Sequence, residues 1–99
     1  MKLWVDDVRP APVGYWLAKS VREAKLAIQI VENGSKFIEL IDIDHDAGDF
    51  ANDGGDFIKL LDWMEETGRN YPIRIHSMNP VGRENMRRII QRNGWTEVM

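Results

Sequence analysis

The stretch that most constrains the fold is residues 41–48, IDIDHDAG, near the middle of the chain. Apolar residues lead up to it, Asp44, His45 and Asp46 follow without a break, and Gly48 lets the chain turn away. Burying adjacent carboxylates costs several kcal/mol unless something pairs with them. We therefore expect a buried strand whose polar end lies in a wet cleft and faces a cation or a substrate.

The length and composition fit a single small domain spanning residues 1–99. The chain has 99 residues, no cysteine and a formal net charge of −3, so disulfide and thiolate chemistry are excluded. No apolar run approaches the ~20 residues that span a bilayer, and Asp6 and Asp7 come too early for a signal peptide. We expect a cytoplasmic protein without a membrane partner. The oligomeric state is left open.

Apolar periodicity and capping residues divide the chain into strands and helices. Ser20 and Glu23 form a capping box, and Asn79-Pro80 is a strong helix start. The predicted strands are residues 2–5, 15–18, 37–43, 71–75 and, as a short last one, 95–99. The predicted helices run from Ser20 to Asn33-Gly34, from Phe57 to Gly68, and from Asn79 to Asn93-Gly94, with a polar loop at 49–55.

This alternation predicts an α/β fold with a parallel sheet and right-handed crossovers. Pro10 and Pro12 leave the first crossover as a loop in place of a helix. With strand order 2-1-3-4, the first and third strands are neighbours at the point where strand order reverses, which is where such folds bind ligands. Three polar groups follow predicted strands and should meet there: Asp6-Asp7, Asp44-His45-Asp46 and His76-Ser77.

The acidic residues of this group are suited to a divalent cation. Asp6, Asp7, Asp44 and Asp46 offer the oxygen ligands that Mg²⁺ prefers, and Mn²⁺ would fit as well. A one-residue slip reverses the face of a strand, so either Asp44 or Asp46 is the residue that points into the site. The structural alternative is that the acids are turn residues pairing with Arg9.

The two histidines of the chain, His45 and His76, both fall at the proposed cleft. Histidine titrates near neutrality and is the usual acid or base in phosphoester chemistry. We expect these two, with Asp44, to be catalytic, although a histidine at a strand end is often structural. Ser77 would donate to a phosphate or merely satisfy its turn.

A basic segment follows the last predicted strand. The helix start at Asn79 offers free amides and a favourable dipole to an anion, Gly82 permits close approach, and Arg83 would clamp a phosphate. Arg9 and Ser77 are the other candidate phosphate ligands. The alternative is an ordinary capped helix with a surface arginine.

Three strings, LWVDDVR at 3–9, DHD at 44–46 and HSMNPVGR at 76–83, resemble the cyclic-phosphate-processing receiver domain family, a divergent branch of the two-component receiver domains. The resemblance implies a three-layer, flavodoxin-like receiver domain with four or five strands in the order 2-1-3-4-5 and a first helix reduced to a loop. It also implies a role with cyclic phosphates of nucleotides or RNA ends. Asp6-Asp7, Asp44 and Ser77 fit the receiver positions for the acidic pair, the phosphoacceptor and the hydroxyl residue.

Two departures from signalling receivers bear on function. No lysine follows the last predicted strand, where the chain reads TEVM at 96–99, and two histidines have been added to the pocket. The first hypothesis is therefore a metal-assisted phosphoesterase acting on a cyclic phosphate. The alternatives are a phosphoacceptor receiver modified at Asp44, and a nucleotide- or nucleic-acid-binding module without catalysis.

Overall fold

Four short strands form one parallel sheet. The computed structural model describes residues 1–99, and its strands are arranged in the order β2-β1-β3-β4. All three neighbouring pairs are parallel. The predicted α/β class and strand order are confirmed. The strands are β1 (Lys2–Val5), β2 (Tyr15–Ala18), β3 (Leu40–Ile43) and β4 (Ile73–Ile75).

Three helices connect or follow these strands: α1 (Val21–Glu32), α2 (Ile58–Glu66) and α3 (Pro80–Asn93). The caps read from the sequence define two of the starts. The Ser20 hydroxyl accepts the Glu23 amide at 3.1 Å, and the Asn79 side chain accepts the Gly82 amide at 3.0 Å. None of the three helices combines the length and apolar character that a membrane crossing requires.

The strand boundaries differ from the sequence prediction at three places. β3 begins at Leu40, which lies opposite Lys2 at the start of β1. Phe37 and Glu39 hydrogen-bond to Met1, the residue before β1, and Phe37 is 73% exposed. β4 is likewise trimmed to start at Ile73. The predicted last strand is reduced to a single parallel bridge between Ile73 and Glu97, on the outer side of β4. The loop expected at 49–55 contains a short 3-10 turn at Gly48–Phe50.

All three helices cover the same face of the sheet. Along the sheet, β3 lies to one side of β2, and β4 lies further to that same side. Right-handed crossovers therefore place the two connecting helices on the same face of the sheet. Buried residues of every helix share a single core with Leu3, Ile41 and Ile73. Because side chains alternate along a strand, the opposite face carries Trp4, Asp42 and Arg74.

That opposite face is covered only by the loop that links β1 to β2. Residues 6–14 contain no helix, as the two prolines predicted. The Trp4 indole donates to the Arg9 carbonyl at 3.1 Å, which fixes the loop over one end of the sheet. The third layer of the domain is therefore this loop, and much of the sheet face beside it lies open.

Candidate functional site

Three carboxylates meet at the carboxyl ends of β1 and β3. One oxygen from each of Asp6, Asp7 and Asp44 lies within 4.8 Å of the others. Asp6 is fully buried, Asp44 is 8% exposed and Asp7 is half-buried. The adjacency of β1 and β3 produces this cluster, since both strands end at the same edge.

A single arginine faces the cluster. Arg9 Nη1 lies 3.2 Å from Asp6 Oδ2 and 3.6 Å from Asp44 Oδ2. The amides of Val8 and Arg9 both donate to Asp6 Oδ1 at 2.9 Å, so the loop after β1 wraps around the Asp6 carboxylate. One guanidinium therefore offsets three carboxylates, and the cluster retains negative charge.

The environments of Asp6 and Asp7 shift their pKa values in opposite directions. Burial acts to raise the pKa of Asp6, but hydrogen bonds from the Arg9 and Val8 amides and from His76 outweigh it and lower the pKa. Burial raises the pKa of Asp7, and the negative charges of Asp6 and Asp44 raise it further. Burial and the two neighbouring carboxylates thus both oppose ionisation of Asp7, and a bound cation would favour it.

The absence of a side chain at Gly48 leaves space for the Asp7 carboxylate. The backbone of Gly48 is in the left-handed region, with φ of 54°, and a Cβ there would lie 2.3 Å from Asp7 Oδ2. The residue that lets the chain turn away from β3 therefore also leaves space for the carboxylate.

His76 lies between two carboxylates. Its Nδ1 is 2.7 Å from Asp42 Oδ1, and its Nε2 is 2.9 Å from Asp6 Oδ2. The ring stacks on Trp4, with centroids 3.9 Å apart and planes inclined by 4°. A neutral imidazole has one N–H, so both hydrogen bonds form when the ring carries two protons or when one carboxyl is protonated.

Asp42 was not among the residues expected at the site, since the sequence showed it only as a polar break in a buried strand. It is 1% exposed and lies in register with Trp4 and Arg74. A polar residue in the middle of a strand that otherwise looks buried on both faces was the available signal. It marks the sheet face that no helix covers.

His45 has a different arrangement. Its Nδ1 lies 2.7 Å from Asp46 Oδ1, and its Nε2 makes no hydrogen bond within the protein. A Cβ on Gly82 would lie 2.4–2.7 Å from three ring atoms, so the imidazole packs directly on the first turn of α3. His45 therefore links the tip of β3 to the start of α3.

The structure separates the two aspartates that flank His45. Asp44 joins Asp6 and Asp7, whereas the Asp46 side chain is 59% exposed and turns to His45. Four aspartates were expected to bind the cation, and Asp46 is the one that lies outside the cluster formed by the other three. Strand alternation would place Asp44 and Asp46 on the same face, but β3 ends at Ile43, so that alternation does not extend to them.

The candidate phosphate ligands near the start of α3 already make hydrogen bonds within the protein. Ser77 is buried and its hydroxyl accepts the Asn79 amide at 3.1 Å, while Asn79 caps Gly82. Pro80 has no N–H, so this helix start offers an anion fewer free amides than expected. Arg83 donates only to the Ser77 carbonyl, at 3.3 Å, and has no carboxylate partner.

A comparison with protein families produced one match. The family model described as "Cyclic-phosphate processing Receiver domain" matches residues 1–92, which include the three carboxylates, both histidines and Arg83. Searches of curated proteins and of solved structures found no match.

Proposed function

The chain belongs to the cyclic-phosphate processing receiver family, and we propose that its polar cleft binds and hydrolyses a cyclic phosphate of a nucleotide or of an RNA end. One observation carries the proposal: the cluster of Asp6, Asp7 and Asp44 lies at the strand ends beside Arg9, with the His45–Asp46 pair on the next residues of the same β3 tip. Such a site combines groups for a cation, an anion and proton transfer.

Asp6, Asp7 and Asp44 would hold a divalent cation, Mg²⁺ or Mn²⁺. Three carboxylate oxygens within 4.8 Å suit a hard cation that keeps several of its waters. The raised pKa of Asp7 supports this assignment, because burial and the charges of Asp6 and Asp44 disfavour its ionised form, which a bound cation would stabilise. When bound, the ion supplies charge neutralisation at the phosphoryl oxygens.

His45 is the base of the proposed reaction. Asp46 accepts from Nδ1–H, which leaves the lone pair on Nε2 free to take a proton. His45 removes a proton from water as the water oxygen bonds to phosphorus. The bond from phosphorus to the ribose oxygen opposite the attacking water breaks, that oxygen takes a proton from solvent, and His45 returns its proton to solvent. One water is added across one P–O bond, and nothing else is consumed.

His76 holds the carboxylates in place. Both of its ring nitrogens face buried carboxylate oxygens, and Trp4 covers one side of the ring. Proton transfer to a substrate would require breaking one of these contacts. We therefore assign His76 to positioning Asp6, in place of the catalytic role that the sequence suggested.

Arg9 is the cation available to the phosphate, because it already lies at the carboxylates. Arg83 has no acidic partner, but it lines surface pockets with Glu97 and with Arg87 and not with the carboxylates. Guanidinium groups bind phosphate oxygens through two parallel N–H donors. Because Asn79 and Ser77 satisfy local backbone groups, their proposed part is to fix the turn between β4 and α3.

The position of Asp44 beside Asp6 and Asp7 favours a second candidate function. Asp44 lies with Asp6 and Asp7 as a phosphoacceptor would in a signalling receiver. Incubation with a small phosphodonor and measurement of the intact mass tests this alternative. A phosphoryl adduct that disappears in Asp44→Asn would favour a switch over hydrolysis.

The proposed activity is tested by following the four 2′,3′-cyclic nucleotides by phosphorus NMR, with and without Mg²⁺ or Mn²⁺. We expect conversion to a ring-opened monophosphate that needs the cation and is lost in His45→Gln. Binding without turnover, unchanged in His45→Gln, would contradict catalysis and favour a binding module.

A further inference from the structure

A pocket of about 370 Å³ lies on the open face of the sheet, next to the proposed site. Its size falls at the lower end of the range of about 300–1,000 Å³ that small-molecule sites occupy. His76 belongs to both places, because its Nε2 faces Asp6 and its Nδ1 faces Asp42. The pocket is lined by Trp4, Pro12, Tyr15, Asp42, Arg74 and His76.

Asp42 provides the floor of this pocket. Its side chain is 2% exposed, and its Oδ1 is taken by His76. The other oxygen, Oδ2, makes no hydrogen bond, and its nearest cation, Arg74 Nη1, is 3.9 Å away. Every fully buried side-chain polar atom of the protein has a hydrogen-bond partner. Because Oδ2 has none, it is not fully buried, and it is the atom of Asp42 that is accessible from the pocket.

Arg74 places a donor beside this acceptor. Its side chain is 51% exposed, and no carboxylate binds it more closely than Asp42. An acceptor and a guanidinium side by side match the edge of a heterocycle that carries an N–H next to a carbonyl.

Aromatic groups wall the pocket. Tyr15 meets Trp4 edge to face, with ring centroids 5.8 Å apart, and Pro12 also lines the pocket. Flat apolar walls above a polar floor suit a base, since aromatic side chains bind any base through its face.

We propose that this pocket binds a base with an N–H beside a carbonyl, guanine or uracil, in the nucleotide whose cyclic phosphate lies at Asp6, Asp7 and Asp44. The N1–H of guanine, or the N3–H of uracil, donates to Asp42, and the neighbouring O6 or O4 accepts from Arg74. The imidazole of His76 lies between Asp42 in the pocket and Asp6 in the carboxylate cluster. In a nucleotide, the ribose likewise lies between the base and the phosphate. This inference rests on the proposed function and names its substrate class.

The test measures binding by calorimetry of guanosine, adenosine, cytidine and uridine 2′,3′-cyclic phosphates, of guanosine alone, and of a cyclic phosphate without a base, glycerol 1,2-cyclic phosphate. Arg74→Ala removes one donor and leaves the Asp42–His76 hydrogen bond in place. Arg88→Ala is the matched control, because Arg88 is an exposed arginine whose one side-chain contact is Asn85.

We expect the guanosine and uridine ligands to bind about tenfold more tightly than the adenosine and cytidine ligands, and Arg74→Ala to remove that preference while Arg88→Ala keeps it. Equal affinity for all four nucleotides, or a preference for adenosine or cytidine, would overturn the inference. If glycerol cyclic phosphate is hydrolysed while no base preference exists, the base pocket fails and the proposed function stands. If guanosine binds through Arg74 but no cyclic phosphate binds better, the pocket stands and the proposed function fails.

Discussion

The imidazole ring of His45 rests on the backbone of Gly82, so closely that a methyl group at position 82 would come within 2.4 Å of the ring. Gly82 is the third residue of α3 and is buried. The glycine is needed for space at this point, and the contact fixes the orientation of the proposed base. The tip of β3 and the start of α3 thus form one unit.

Gly82→Ala should reduce turnover of a cyclic nucleotide while leaving the fold intact. Alanine is the better helix former by about 1 kcal/mol, so the helix itself is not weakened, but the ring must move away from Asp46. We expect kcat to fall about tenfold to hundredfold, as displacements of about 1 Å do in other sites. Gly34→Ala is the control, because a Cβ at Gly34 meets nothing closer than 3.6 Å. Full activity in Gly82→Ala would show that the position of His45 does not matter.

The two histidines should differ in their effect on stability. His76→Ala leaves the buried Asp42 without its imidazole partner and removes one partner of Asp6, a type of loss that costs about 3–5 kcal/mol. His45→Ala breaks a pair whose acid is 59% exposed and removes the packing of the ring on Gly82, so it should cost less, about 1–2 kcal/mol. Urea unfolding of both variants measures the difference. Equal costs would contradict the positioning role of His76.

The positions of the chemical groups could be predicted because strand ends and helix caps are local signals. Ser20, Asn79 and the polar residues after β1 and β3 are each recognisable from a few neighbouring residues. The partners of His76 could not be predicted in this way. Its contact with Asp42 joins residues 34 positions apart and depends on strand register.

The direction of individual side chains was the other limit. The choice between Asp44 and Asp46 depended on how β3 ends, and the stacking of Trp4 on His76 depended on which sheet face the helices leave open. The first crossover was correctly predicted to lack a helix. That this leaves one face of the sheet without a helix became clear only from the packing of α1, α2 and α3 on the other face.

Divalent cations should raise the unfolding temperature through Asp7. The raised pKa of Asp7 means that ionising it costs stability, an effect absent at low pH and present as the pH rises through that pKa. A cation at a hundred times its Kd would add about 2.7 kcal/mol. Asp7→Asn should be more stable than the parent without cation and gain little from Mg²⁺.

The matched variant for this test is Asp62→Asn, which removes the same charge from α2 and loses only a 3.8 Å ion pair with Lys59. It should keep the full response to Mg²⁺. If Asp7→Asn and Asp62→Asn respond alike, the cation binds somewhere other than the three-carboxylate cluster.

Tyr71 should ionise only in strong alkali. Burial, together with a hydrogen bond to Glu32, raises its pKa from 10.0 to about 12. A raised pKa stabilises the fold at pH values below the unfolded value, and this contribution is lost as the pH rises through about 12. Ultraviolet titration of Tyr15→Phe, in which Tyr71 is the single tyrosine, measures it. Ionisation near pH 10 would contradict the Tyr71–Glu32 contact.

The central claim is that the strand-end carboxylates and Arg9 hold a cation and a phosphate together beside His45. Anomalous diffraction from crystals soaked with Mn²⁺ and a slowly reacting cyclic phosphate thioate tests it most directly. We predict one manganese peak among Asp6, Asp7 and Asp44, with the phosphorus group near Arg9 and His45 Nε2. A manganese peak elsewhere, or a phosphorus group bound away from these residues, would contradict the account.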